Sequence, residues 1–369
     1  MTLHHSGRLA DAVSAIEREI ASMWAPEPGA PPKTRASTAN LIVVSGSTHI
    51  ELARTLAETL ATAEVARTMV VSVDAKIPPW AVEASVSARC RVDGAGEICS
   101  ERIDLTLGAS VMSRAASVIS SLCVTEVPTS VLAIFPTPTA LLSSLLKLGD
   151  HLVVDSDATS IELSSELAQE SRARLHDLAW ERLLPWRNHL ATCFDDLRAR
   201  RSVTAIRKLT LRTTPTEGGQ TSPSVRWLLG WLSSRLGWRF TSPTSAIDAL
   251  NLPVKIELEW RRAELPPGEL IEVELEADAT DIPLRLSLIR EPSSDSSPDR
   301  WLMHSTREGE EIGVEDRRFR VQRLATTALV DRAVHDPSSD AVLRSALQRA
   351  VSYPPATKRT QLDDQSQPG

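Results

Sequence analysis

Long apolar runs are missing from this chain of 369 residues. The longest, at 41–44 and 131–135, fall far below the ~20 residues a membrane-spanning helix needs. Excess positive charge is missing too: 41 basic residues stand against 48 acidic ones, a net charge of -7. That balance excludes the broad basic face by which a protein holds a nucleic-acid backbone. Paired-cysteine motifs are absent. Cys90, Cys99, Cys123 and Cys193 form no C-x-x-C, and they read as reduced, mostly buried thiols. The start of the chain leads into an amphipathic stretch rather than a basic region and an apolar core, so no secretory leader is expected and the cytoplasm is the expected compartment. Tyrosine is nearly absent, with one residue, and phenylalanine scarce, with four. What is there instead is tryptophan, nine in all. Each needs a partner for its N–H, so clusters of them mark packing centres or interaction surfaces.

The length suggests about two domains. Leu9, Val13, Ile16, Ile20 and Trp24 recur at helical spacing, and the proline-rich run 25–32 then stops the helix as a stiff linker. From Asn40 short apolar strands interleave with helices: strand 41–44, helix 48–63, strand 69–73, helix 110–123, strand 130–135, helix 138–148, strand 151–155. Segments 82–92 and 100–107 read as an antiparallel pair around Asp93-Gly-Ala-Gly96. The expected fold class is α/β (α+β overall): a mixed-sheet layered α/β domain followed by a β-rich C-terminal domain with terminal helices. The expected division is a helix and linker at 1–37, the α/β domain at 38–170, tryptophan-rich helices and the β-rich domain at 171–350, and a disordered tail at 351–369. Helical spacing runs through 175–198 and 222–237, with a strand over 202–213 between them. Strand alternation follows Leu252, and helices close the chain near 321–333 and 339–350.

Catalytic chemistry is hard to find. Val44-Ser-Gly-Ser-Thr48, between a strand and a helix, resembles an anion site in position, yet neither G-x-x-x-x-G-K-[ST] nor G-x-G-x-x-G is present. Thr48-His-Ile-Glu51 reads as a capping box that uses the same N–H groups. Asp155-Ser-Asp157 ends a strand, where helix capping is the plainer role than proton transfer or cation binding. The eight histidines make neither H-x-x-x-H nor H-E-x-x-H, and Cys193 has only His189 at helical spacing. No catalytic residue, cofactor or metal is assigned.

Two dense segments remain. In 176–187, Leu175, Ala179, Leu183, Trp186 and Leu190 share one helical stripe, and Pro185 predicts a kink or split. Trp180, Arg182 and Arg187 then project elsewhere. In 222–238, Ser222 fits an N-cap, Pro223 the first turn and Gly237 the stop, with Trp227 and Trp231 four residues apart. For the tryptophans of both segments a core role is the plainer reading.

At these residues the sequence resembles the glucose-6-phosphate dehydrogenase assembly protein family, OpcA. The landmarks are Asn40-Leu-Ile-Val-Val44, Ile98-Cys-Ser-Glu-Arg-Ile103, Asp150-His-Leu-Val-Val-Asp-Ser156, Asp177-Leu-Ala-Trp-Glu-Arg-Leu-Leu-Pro-Trp-Arg187 and Leu228-Leu-Gly-Trp-Leu232, in family order over about 60% of the chain. The resemblance implies a non-enzymatic partner of glucose-6-phosphate dehydrogenase that assists its assembly or activates it allosterically. It also implies Asp177, Trp180, Arg182, Pro185, Trp186 and Arg187 as signature residues, to which Trp227 and Trp231 are added as candidate contacts. One departure is Glu126-Val-Pro-Thr-Ser-Val-Leu-Ala-Ile-Phe135, which keeps the Val-Pro and the strand but lacks the family's tryptophans. The rival reading is a small-molecule binding or enzymatic α/β protein with its site at the strand ends near Gly46–Thr48 and Asp155–Asp157, where open α/β sheets hold ligands.

Overall fold

A computed structural model describes residues 3–7, 9–25, 33–35, 37–63, 65–93, 96–195, 200, 202–278, 284–292, 300–309, 313–336 and 341–354. Most of the expected linker after Ala25, and residues 355–369 of the expected tail at 351–369, lie outside the described residues; at the start of that stretch Val351 is helical and buried Tyr353 donates its hydroxyl to the Pro243 carbonyl at 2.7 Å. The chain divides into two compact units. One is Met1–Glu181 with Ala325–Asp340; the other is Arg182–Leu324 with Ala341–Gly369.

The first unit is built on one sheet. Its strands are β1 (Leu3–Gly7), β2 (Lys33–Arg35), β3 (Asn40–Gly46), β4 (Arg67–Val73), β5 (Val82–Asp93), β6 (Gly96–Leu107), β7 (Thr129–Ala133), β8 (His151–Val154) and β9 (Arg174–Asp177). They run in the order β1-β5-β6-β4-β3-β7-β8-β9, with β2 paired to the first part of β6. From β6 to β9 all neighbours are parallel, while β5 and β1 are antiparallel additions. The mixed sheet expected from the hairpin is therefore present. Leu41–Val44 are all buried in succession, the mark of a strand covered on both faces. The cover comes from α1 (Leu9–Met23), α3 (Ala115–Leu122) and α4 (Thr139–Leu145), where α3 contacts both of the others, and from α2 (Ile50–Ala63), which contacts α9 (Thr326–His335). Also in this unit are α5 (Ile161–Glu170) and α6 (Leu178–Arg182).

Two expectations fail here. The thiols of Cys90 and Cys99 are joined in a disulfide, because the β5–β6 hairpin sets these two residues directly opposite each other. Cysteine usage therefore no longer argues for a reducing compartment. The capping box is also not formed. Residues Ser47–His49 make a 3-10 turn ahead of α2, the Thr48 hydroxyl lies 2.9 Å from His49 Nδ1, and Glu51 pairs with Arg54.

The second unit opens with α7 (Leu184–Thr192). Its own sheet comprises β10 (Ile206–Thr213), β11 (Arg239–Ser242), β12 (Ser245–Ile247), β13 (Pro253–Trp260), β14 (Leu270–Ala277), β15 (Leu284–Pro292), β16 (Arg300–Gly309) and β17 (Gly313–Gln322), in the order β11-β12-β13-β10-β14-β15-β16-β17. Neighbours are antiparallel except β10 and β13. Alternate residues such as Leu209, Leu211, Val273, Leu275, Leu286 and Leu288 are buried. The intervening positions carry a charge ladder, in which Arg212 bonds Glu259 at 2.7 Å and Glu272 at 2.7 Å across both neighbouring strands. Helices α8 (Pro223–Leu236) and α10 (Ala341–Val351) pack against each other. The predicted caps of α8 are all present: Ser222 accepts from the Val225 amide, Pro223 sits in the first turn, and Gly237 closes the helix at φ 69.

Candidate functional site

The reversal of strand order in the first sheet lies at β3, whose neighbours β4 and β7 extend the sheet in opposite directions. In parallel sheets ligands enter the crevice at the carboxyl ends of such strands. Here the chain bridges that crevice. The Gly46 amide donates to the Pro136 carbonyl at 2.8 Å, and the Thr137 hydroxyl donates to the Val44 carbonyl at 3.3 Å. His49 stacks on Phe135 with ring centroids 6.2 Å apart. The two loops that would have to part to admit a ligand at Gly46–Thr48 are thus bonded to each other.

The second strand-end loop, Asp155–Asp157, is a turn engaged from within. The Asp155 carbonyl receives the Ala158 and Thr159 amides, and its carboxylate receives the Asp157 amide. Ser156 turns inward, where its hydroxyl donates to Asp177 at 3.0 Å. Asp177 is wholly buried and also accepts from the Ser164 hydroxyl of α5 at 2.9 Å and from the Ala179 amide at the start of α6 at 2.9 Å. One carboxyl therefore joins the end of β8, helix α5 and the entry to α6. Burial, with a push from Asp155, raises its pKa to about 7 against the pull of its hydroxyl and amide donors. The local reading of a helix from Leu175 is corrected by this geometry: Arg174–Asp177 is strand β9, and α6 begins only after Asp177 offers its side chain to the Ala179 amide.

The remaining signature residues divide between the units. Trp180, in the first, is fully buried. Pro185 falls in the first turn of α7 and splits the predicted helix into α6 and α7, as its missing N–H requires. In the second unit, Trp186 and Arg187 are buried, while Arg182 and Pro185 are half-buried. In α8, Trp227 is buried and Trp231 half-buried. Of the eight candidate contact residues, then, Arg182, Pro185 and Trp231 reach partly into solvent.

Other landmarks prove to be internal ties that sequence reasoning did not foresee. Buried Asn40 exchanges hydrogen bonds with both backbone groups of Val124 and bonds Thr129 at 3.1 Å, fastening β3 to the entry of β7. Asp150 accepts from the Thr129 amide at 2.9 Å. Glu101 pairs with buried Arg67 and accepts from the Trp24 indole at 2.6 Å. Gly230 lies where a Cβ would stand 2.3 Å from the Ala346 carbonyl, so α8 approaches α10 more closely than any side chain allows. A signal for these residues was present in the landmark strings, but their partners lie far away in sequence.

Among the described residues no group of three or more His, Cys, Asp or Glu side chains is placed to hold a metal ion, and no helix is long and apolar enough to cross a membrane.

Comparisons with known proteins add the following. Two family models of a glucose-6-phosphate dehydrogenase subunit match, the one for its N-terminal domain over residues 57–173 and the one for its C-terminal domain over residues 173–347. Two relatives, from Nostoc punctiforme and Synechocystis, bear the name OxPP cycle protein OpcA. The first is 30% identical over 167 residues, covering 43% of this chain and 35% of the relative. The second is 29% identical over 168 residues, covering 42% and 34%. The matched stretch spans about a third of the length of these relatives. Similar solved structures include the 3-ketoreductase KijD10 of Actinomadura kijaniata, at TM-score 0.44 and 12% identity over 85% of this chain and 95% of that one. An oxidoreductase from Sinorhizobium meliloti is similar at TM-score 0.41 and 14% identity over 85% and 86%.

Proposed function

Because the chain belongs to the OpcA family of glucose-6-phosphate dehydrogenase subunits, we propose that it is a non-catalytic partner of that dehydrogenase in the cytoplasm, promoting its assembly or activating it in the oxidative pentose phosphate pathway. The observation that carries this reading is the continuous family match over residues 57–347. The closed crevice at Gly46–Pro136 is consistent with a scaffold that works by its surface. It weighs against a ligand site at Gly46–Thr48.

The mechanism needs only differential affinity. A partner that binds the assembled, active enzyme more tightly than the inactive form shifts the equilibrium by that difference and by nothing else. Tryptophan and arginine are the residue types most often found at the energetic centre of interfaces. Arg182, Pro185 and Trp231 are the signature and helix residues with solvent-facing surface for such contact, while Asp177, Trp180, Trp186, Arg187 and Trp227 are buried.

The test is the initial rate of glucose-6-phosphate dehydrogenase from the same organism against glucose 6-phosphate concentration, with and without this protein. Light scattering on the same mixtures gives the mass. A saturable rise in rate accompanied by a heavier complex is expected. Unchanged rate and unchanged mass over a wide concentration range overturn the reading.

A further inference from the structure

The second unit treats its strand ends differently from the first. Its parallel pair, β10 and β13, finishes side by side, with Thr213 and Trp260 as register partners on the last rung. At these carboxyl ends lies a cavity of about 320 Å³, within the range of small-ligand sites. Four segments converge on it: Thr213 from β10, Leu258 and Trp260 from β13, Gln220, Ser222 and Val225 from the turn that enters α8, and Pro243 and Thr244 from the turn between β11 and β12.

The chemistry of the lining narrows the ligand. None of the lining side chains is ionisable, so a charged ligand would lose water without gaining a counter-charge. Trp260 is 56% exposed, an open indole face at the mouth. Gly219, at φ +67, brings bare backbone beside that ring, where a Cβ would come within 3.6 Å of it. Thr213 and Gln220 hold no side-chain hydrogen bond with any described residue, and the Ser222 hydroxyl receives the Val225 amide while keeping its own proton to donate. A wholly apolar ligand would strip water from these groups and give them nothing in return.

We infer that this cavity binds an uncharged, hydroxyl-bearing ring of the pyranose type. The apolar face of the ring stacks on Trp260, and its hydroxyls exchange hydrogen bonds with Thr213, Gln220 and Ser222. The site lies wholly within the second unit and stands apart from the dehydrogenase partnership; neither depends on the other.

Ligand-observed saturation-transfer NMR on the full chain tests it. The probes are methyl α-D-glucopyranoside and its galacto and manno epimers at millimolar concentration, with indole as the apolar comparison. At least one pyranoside is expected to give a saturable signal that Trp260→Ala abolishes and that Thr213→Val weakens about tenfold. The second variant keeps the shape of the side chain, and circular dichroism confirms that both are folded. Three results overturn the inference: no saturable signal from any pyranoside, a signal that survives Trp260→Ala, or Trp260-dependent binding of indole alone.

Discussion

Gly46, the last residue of β3, and Pro136, just past the end of the adjacent parallel strand β7, are joined by a single backbone hydrogen bond of 2.8 Å. A Cβ on Gly46 would lie 3.0 Å from that carbonyl, a tight fit that a side chain would strain. The bond occupies the place where a sheet of this order would otherwise receive a diphosphate. NAD or NADP added in large excess is therefore expected to leave the melting temperature unchanged. A concentration-dependent rise, the signature of a ligand held by the native state, would show that the crevice opens.

Asp177 gives the fold a pH dependence of definite sign. Its native pKa of about 7 lies above the ordinary 3.8, so between these values the folded chain holds a proton that the unfolded chain has released. The contribution is fully present below about pH 4 and is lost as pH rises through 7. Urea midpoints measured from pH 4.5 to 8 should fall more steeply with pH in the wild type than in Asp177→Asn. Parallel curves would contradict this.

Gly230→Ala introduces a methyl group where the Ala346 carbonyl already stands. The gain in helix propensity, about 1 kcal/mol, is outweighed by overpacking, and a net loss of about 2 kcal/mol is expected. Thermal unfolding should begin several degrees lower. An unchanged or higher melting temperature would mean that α8 and α10 can separate freely.

The Cys90–Cys99 bond is checked by counting thiols. With the chain denatured without reductant, two of the four cysteines, Cys123 and Cys193, should react with an alkylating reagent, and all four after reduction. Four reactive thiols before reduction would remove the bond from the native protein.

Burial divides the tryptophan set into fully enclosed and half-exposed positions. Trp180→Ala empties a fully buried site and should cost about 3–5 kcal/mol of stability. Trp231→Ala, on a half-buried position, should leave unfolding within about 1 kcal/mol of wild type while weakening association with the dehydrogenase. Equal affinity for Trp231→Ala and wild type would move the contact surface elsewhere.

What the sequence made legible were features whose cause is local. The β5–β6 hairpin announces itself by alternation around a glycine turn, and α8 by a serine, a proline and a glycine in the right places. Strand β9 does not: four residues are too few to show a period of two, and Leu175 also fits the helical stripe of Ala179 and Leu183. The capping box at Thr48 is a sound local motif that loses to other partners: the Thr48 hydroxyl sits against His49 in a 3-10 turn, and Glu51 pairs with Arg54. Cys90 and Cys99 meet only once strand register is known. The Trp260 cavity is assembled from four separated segments, and the serine cap in one of them announces a helix start, not a pocket. The landmark strings pointed to the right residues, but mostly as internal ties; the partners of Asn40, Glu101 and Asp177 are set by the fold.

The division of the chain has a temporal side. The first unit includes residues 325–340, which contribute α9, and the second is closed by α10 at 341–351. On a ribosome that releases the chain from its N-terminus, neither unit has all its helices until the second sheet has been made and synthesis has passed residue 335. Residues 1–181 would wait for a helix encoded after the entire second sheet. A nonsense codon or a ribosomal stall anywhere between 252 and 325 would therefore leave two unfinished units rather than one finished unit and one fragment.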